Sequence, residues 1–137
     1  MPTRQCVSVD FDGLLHSYHD GWKDGSIYGE LDFDLISRLH SLGYAVAVST
    51  CRPVQPVALV MRNQGFRVKA DLDMRASFWI GGTEGNTVLI TNRKIAAVAY
   101  LDDRAVPLRF GQDDDAVSAA LAEVARLASR RDGIRNQ

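Results

Sequence analysis

Two aspartates stand two residues apart where a short apolar run ends, in the stretch Cys6-Val7-Ser8-Val9-Asp10-Phe11-Asp12-Gly13. Residues two apart on a strand point to the same side, so Asp10 and Asp12 can share a site, and Gly13 permits a sharp exit from the strand. Two other apolar runs end on reactive groups. One finishes on Ser49-Thr50-Cys51-Arg52, the other on Asp102-Asp103-Arg104, and Lys94 stands just before the latter. Four carboxylates in one cleft repel one another unless a cation joins them. A small set of oxygen donors suits magnesium, which keeps several waters and takes further oxygens from a substrate phosphate. A carboxylate beside that ion and a lysine can attack phosphorus. A second carboxylate two residues on can protonate the leaving oxygen and later deprotonate water. A hydroxyl at the next strand end can hold a phosphoryl oxygen, and a lysine can neutralise the charge that develops in the transition state.

That chemistry needs elements to carry it. Residues 5–11 and 44–50 are Val-rich runs that predict buried strands, and 66–70 predicts a weaker one. Leu31, Leu35, Leu39 and Leu42 recur at helical spacing over 31–43, with Gly43 as the stop; 54–65 predicts a second helix, with Pro56 tolerable in its first turn and Gly65 at its end. Residues 14–30 mix glycines with aromatics and read as a flap. In 71–93, Ser77–Ile80 and Thr87–Thr91 flank a Gly-rich stretch, which predicts a β-hairpin over 78–90. Residues 96–101 predict a buried strand and 106–110 a short edge strand, where Pro107 is acceptable. Residues 113–131 open on acids and close on arginines, as the helix dipole favours, and 132–137 reads as a frayed tail. Alternating strands and helices predict an α/β fold: a mostly parallel central sheet, Rossmann-like, with helices on both faces. In such sheets ligands bind outside the carboxyl ends of the strands, where the reactive groups stand.

The 137 residues suit one domain, residues 1–137, and 46% hydrophobic residues suffice for a core. The net charge of -1 provides no global basic field to recruit nucleic acid or membrane. Cys6 and Cys51 have neither zinc nor disulfide-framework spacing; both fall in apolar runs and read as buried thiols of a reducing, cytoplasmic setting. No run approaches the length of a membrane span, and Met1–Cys6 leads into a strand with no signal-peptide core behind it.

The order Asp-x-Asp-Gly, Ser/Thr at a strand end, Lys, then Asp-Asp resembles the haloacid dehalogenase-like phosphohydrolase superfamily, over residues 6 to about 110. Thr50-Cys51-Arg52 and Leu101-Asp102-Asp103-Arg104 look most like its small phosphatase domains attached to polynucleotide kinases and related phage and bacterial proteins. The resemblance implies a Rossmann-like fold and a magnesium-dependent phosphatase. It implies Asp10 as nucleophile, Asp12 as general acid and base, Thr50 as phosphoryl-binding hydroxyl with Ser49 its close rival, and Lys94 as the neutralising lysine. Asp102 and Asp103 would hold magnesium with the Asp10 carboxylate and the Asp12 backbone carbonyl. Gly13, Ser49, Arg52 and Arg104 fall on the substrate side. The chain departs from the family pattern at Leu14, where Thr is usual, and at Ile95, where Pro often follows the lysine. The flap and residues 53–93 leave no room for a full cap domain. An open site suits a phosphate on an extended substrate such as a nucleic-acid 3′ end. Free mononucleotides or small metabolites are the alternative substrates, and a catalytically weak binding or regulatory domain is the alternative function.

Each residue also has a plainer reading. Asp-Gly is a common turn pair, Ser49 and Thr50 can cap a helix, Asp102 and Asp103 can pair with Arg104, and Lys94 can be a surface lysine. Arg52 can pair with a carboxylate. His16, Tyr18 and Trp22 in the flap, and Trp79 beyond it, either stack on a base or pack against the sheet.

Overall fold

The computed structural model describes residues 4–12, 14–17, 27, 31–102, 106–107 and 111–135, with side chains except at 102, 106–107 and 130–135. Six strands, β1 (Cys6–Asp10), β2 (Ala45–Ser49), β3 (Val68–Ala70), β4 (Val88–Thr91), β5 (Ala99–Asp102) and β6 (Val106–Pro107), form one sheet in the order β3-β4-β2-β1-β5-β6. Every pairing is parallel. Three helices, α1 (Asp34–Ser41), α2 (Val54–Asn63) and α3 (Asp114–Arg135), complete an α/β architecture. The third helix runs into the segment expected to fray at 132–137, as far as Arg135.

The helices end where their sequences dictate. The Asp34 amide donates to Asp32 Oδ1 (3.0 Å) at the start of α1, and the Ala116 amide donates to Asp113 Oδ1 (2.9 Å) at the start of α3, each satisfying a donor the helix cannot. Beyond α1, Gly43 has φ 90° and the Tyr44 amide reaches back to the Leu39 carbonyl (3.1 Å), a left-handed termination that a side chain at 43 would strain. Gly65 and Phe66 close α2 in the same way.

Strand alternation divides the core in two. Val7, Val9, Val46, Val48, Val88, Ile90, Ala99 and Leu101 face one side, and the buried residues of all three helices join that cluster. Cys6, Ala45, Ala47 and Leu89 face the other, covered by Ile95 with Ala76 and Trp79. The expectation of helices on both faces is therefore corrected: the second face is covered by irregular chain from 71–87 and 92–98. Right-handed crossovers explain the division. Connections running from β1 toward β3 carry α1 and α2, and those running back through β4 to β5 must pass on the opposite face. Small residues on that face leave too little bulk to fill the gap beneath a helix, and a flat segment closes it instead.

The hairpin over 78–90 is also corrected. Residues 78–80 form no strand, and β4 pairs in parallel with β2 and β3. The Gly-rich loop is instead closed by the Thr87 amide on the Gly81 carbonyl (3.1 Å) and by Trp79 Nε1 donating to the Thr87 carbonyl (2.9 Å). Of the two cysteines, Cys6 is buried as expected, but Cys51 is exposed because it lies in the loop beyond β2.

Two outcomes follow. Ile90→Ala, at a fully buried position on a central strand, should cost about 2–5 kcal/mol in urea unfolding, whereas Leu59→Ala, 57% exposed, should stay within about 0.5 kcal/mol. Burial pushes the Cys6 thiol from 9.0 up to about 12. Between those values the unfolded chain releases a proton that the folded chain keeps, so Cys6 makes stability fall as pH rises through that window. The urea midpoint of wild type should drop more than that of Cys6→Ala between about pH 8 and pH 10.

Candidate functional site

The sheet brings the reactive strand ends to one row. Asp10 is paired in register with Ser49, and Ser49 with Thr91. On the other side of β1, Val9 pairs with Leu101, so Asp10 and Asp102 each stand one residue further along adjacent strands. Asp102 ends β5, and its backbone alone is described; Gly13, Asp103 and Arg104 lie outside the described residues, as do Tyr18 and Trp22 of the flap. This row lies where the strand order changes direction, the position that receives ligands in open parallel sheets.

Beyond Asp10 the chain turns tightly. The amides of Leu14, Leu15 and His16 all converge on the Phe11 carbonyl (3.4, 3.0 and 3.0 Å). His16 then bridges to Asp12 and to Leu31, which sets residues 16 and 31 side by side. This turn buries His16 completely, stacked on Phe11 at 5.5 Å, with Nδ1 2.9 Å from Asp12 Oδ1. Of the two roles open to His16, interior packing is the one the structure shows, with a contact to Asp12 that sequence reasoning missed. The i,i+4 spacing of Asp12 and His16 was the available signal.

Arg52 is the other partner of Asp12. It is 1% exposed, and its Nε donates to Asp12 Oδ1 and Oδ2 (3.1 and 2.9 Å). Of the two roles open to Arg52, the pair with a carboxylate is the one described here, made with Asp12 through Nε. Two charges leave water together here, and removing one alone would leave the other buried and uncompensated.

The remaining predicted residues divide. Thr50 is buried, and its Oγ1 accepts the Arg52 amide (3.0 Å), the local turn role that Ser and Thr often fill. Ser49 Oγ donates to the Arg93 carbonyl (3.4 Å). Lys94 lies exposed with its Nζ 4.6 Å from the centroid of the Tyr100 ring; among the described residues it makes no ion pair. Tyr100 is two residues before Asp102, so Lys94 is brought to the strand that ends on Asp102.

A further network went unpredicted. Asn92 Nδ2 donates to both the Thr50 and Arg52 carbonyls (2.8 and 2.7 Å), clamping the loop beyond β2 to the exit of β4. Asp71, just past β3, is buried, accepts the Arg75 and Ala76 amides, and takes the Thr91 hydroxyl at 2.7 Å. Polar links therefore run along the carboxyl edge from β1 through β2 and β4 to β3. Among the described residues no three His, Cys, Asp or Glu side chains converge as a metal-binding group. Nor is any helix among them long and apolar enough to cross a membrane.

No protein-family model matches the chain, and no curated protein or solved structure is significantly similar to it. What the fold and the site define is a parallel α/β protein with its reactive groups on one edge of the sheet.

The Asp12–Arg52 pair gives a direct test. Asp12→Ala should destabilise by about 3–5 kcal/mol in urea unfolding, and Asp12→Ala combined with Arg52→Met should recover most of that loss. Full additivity of the two substitutions would contradict the coupling.

Proposed function

We propose that the chain is a magnesium-dependent phosphomonoesterase of the haloacid dehalogenase-like superfamily, working through an aspartyl phosphate on Asp10. The observation that carries this reading is the row at the carboxyl edge, where Asp10 lies in register beside Ser49 and level with Asp102 on the adjacent strand. The order of motifs along the chain and the parallel sheet support it.

In this reading an Asp10 oxygen attacks the substrate phosphorus, and the bond from phosphorus to the leaving oxygen breaks. Asp12 gives that oxygen a proton and later takes one from the water that hydrolyses the aspartyl phosphate. Arg52 and His16 hold the Asp12 carboxylate in orientation. The Thr50 hydroxyl accepts one hydrogen bond in the turn and keeps its own proton to donate to a phosphoryl oxygen. Lys94, exposed and long, swings from Tyr100 toward the developing charge. The donor set fits magnesium in kind, being carboxylate and carbonyl oxygen: Asp10, Asp102 and Asp103 by side chain, and Asp12 by its backbone carbonyl, since Arg52 and His16 occupy its carboxylate. The ion would neutralise the carboxylates and the substrate phosphate together.

For the substrate class, the supporting feature is the described segment between β3 and β4. The segment 71–87 packs against the sheet through Ala76 and Trp79 and adds no domain over the strand ends. This favours a phosphate on an extended molecule such as a nucleic-acid 3′ end, in a cytoplasmic setting.

Phosphate release should be measured from an aryl phosphate, mononucleotides, and 3′- and 5′-phosphorylated oligonucleotides, with magnesium or with chelator. Wild type should release phosphate only with magnesium and fastest from the 3′-phosphorylated oligonucleotide. Asp10→Asn should lose about a thousandfold or more in kcat. Preference for mononucleotides would shift the substrate class, and release unchanged by Asp10→Asn would contradict the mechanism. No release from any substrate by the folded protein would favour a binding or regulatory role.

A further inference from the structure

Across the helix-free face, beside the edge strand β3, lies a groove of about 620 Å³. Its apolar lining includes Leu89, Trp79, Phe78 and Ile80, and its charged lining is Lys69 and Arg75 with Asp71 and Asp73. The volume falls in the range of ligand sites, which are mostly apolar with a few placed polar groups. Phe78 is 66% exposed, a large aromatic surface with no covering group among the described residues. Trp79 is fixed by its bond to the Thr87 carbonyl, and Lys69 Nζ lies 5.9 Å from its ring centroid.

The groove lining is balanced, Lys69 and Arg75 against Asp71 and Asp73, and it is the cations that form no ion pair among the described residues that favour an anionic occupant. Residues 66–98, which contain this face, hold five cations against three carboxylates in a chain whose net charge is -1. The three carboxylates are engaged: Asp71 by amides and Thr91, Asp73 by Arg75, and Glu84 by Arg67. Among the described residues Lys69, Arg93 and Lys94 form no ion pair. They step from the groove past the exit of β4 toward Asp102.

Position connects the groove to the proposed site. Asp71 lines it and bonds Thr91, which is in register with Ser49, itself in register with Asp10. From β3 to β1 is three strand spacings, about 14 Å. A ligand spanning both must be extended, anionic along its length, and flat and apolar at the groove end.

We propose that this groove seats an unpaired base of a single-stranded nucleic acid whose terminal phosphate lies at Asp10. The base stacks on Phe78 and Trp79, and Lys69, Arg93 and Lys94 track the phosphates. The assignment rests on the phosphatase reading for its far end, but the groove is testable without turnover.

The probe is a 5′-labelled single-stranded hexadeoxynucleotide lacking a 3′ phosphate, titrated by fluorescence anisotropy against wild type, Phe78→Ala and Lys69→Gln. Both side chains are exposed, so the variants should fold, and circular dichroism checks that they do. Phe78→Ala should weaken binding at least about fivefold, and the Trp79 emission of a Trp22→Phe protein should be quenched at saturation. With the 3′-phosphorylated oligonucleotide, Phe78→Ala should raise KM more than it lowers kcat. Equal affinity in all three proteins, or unchanged Trp79 emission, would overturn the assignment. Self-association of wild type that Phe78→Ala abolishes would overturn it in favour of a second copy of the chain. Loss of oligonucleotide binding in the variants supports the groove even if wild type hydrolyses no phosphate, an outcome that would fell the phosphatase reading alone.

Discussion

A buried guanidinium at the end of β2 sets the terms for everything around it. Arg52 has almost no solvent contact, and its Nε meets both oxygens of Asp12, a residue forty positions earlier in the chain. Desolvating a charge is tolerable only with a partner in good geometry. The pair therefore fixes the exit of β1 against the exit of β2, at the edge where the backbone leaves its ladder. His16 completes the arrangement from the other side of Asp12, which explains why the chain turns so tightly on the Phe11 carbonyl.

The same need for satisfied polar groups extends along the edge. Asn92 takes the carbonyls of Thr50 and Arg52, which no strand partner reaches, and Asp71 takes the amides of Arg75 and Ala76 as well as the Thr91 hydroxyl. These links hold four strand ends in fixed relation. In this frame Asp10 holds the last position of β1, beside Ser49, a fixed placement that the proposed nucleophile needs in order to meet a substrate without reorganisation.

Much of this was legible in the sequence. Val-rich runs bounded by glycine and aspartate gave β1 and β2 to within a residue or two, and leucines at helical spacing followed by Gly43 gave α1. The strand ends on which Asp10, Ser49 and Asp102 stand were read from the points where apolar runs met reactive residues. The covering of the second face was not legible, because it depends on direction: a connection that runs back across the sheet must pass on the opposite side whatever its own propensity. The hairpin misreading has a related cause. Two β-prone runs around glycines look alike whether they pair with each other or whether one joins the sheet, and the partners of β4 lie far away in sequence. Asp71, Asn92 and the contact of His16 with Asp12 were not legible because they depend on side-chain contacts away from any motif, and His16 alone carried a local clue in its spacing from Asp12. For Arg52 the sequence allowed both a substrate contact and a carboxylate pair, and the pair with Asp12 was not legible because burial cannot be read from a residue in a loop.

The account turns on Asp10 as a nucleophile, and the most direct measurement is chemical. Protein mixed with magnesium and an aryl phosphate would be quenched in acid within the first turnovers, digested, and mapped by mass spectrometry, with borohydride reduction to mark acyl phosphates. A phosphoryl group, or its reduced trace, on the peptide at Asp10 and absent in Asp10→Asn is the predicted result. Phosphate release with no label on Asp10, or with the label on another residue, would contradict it.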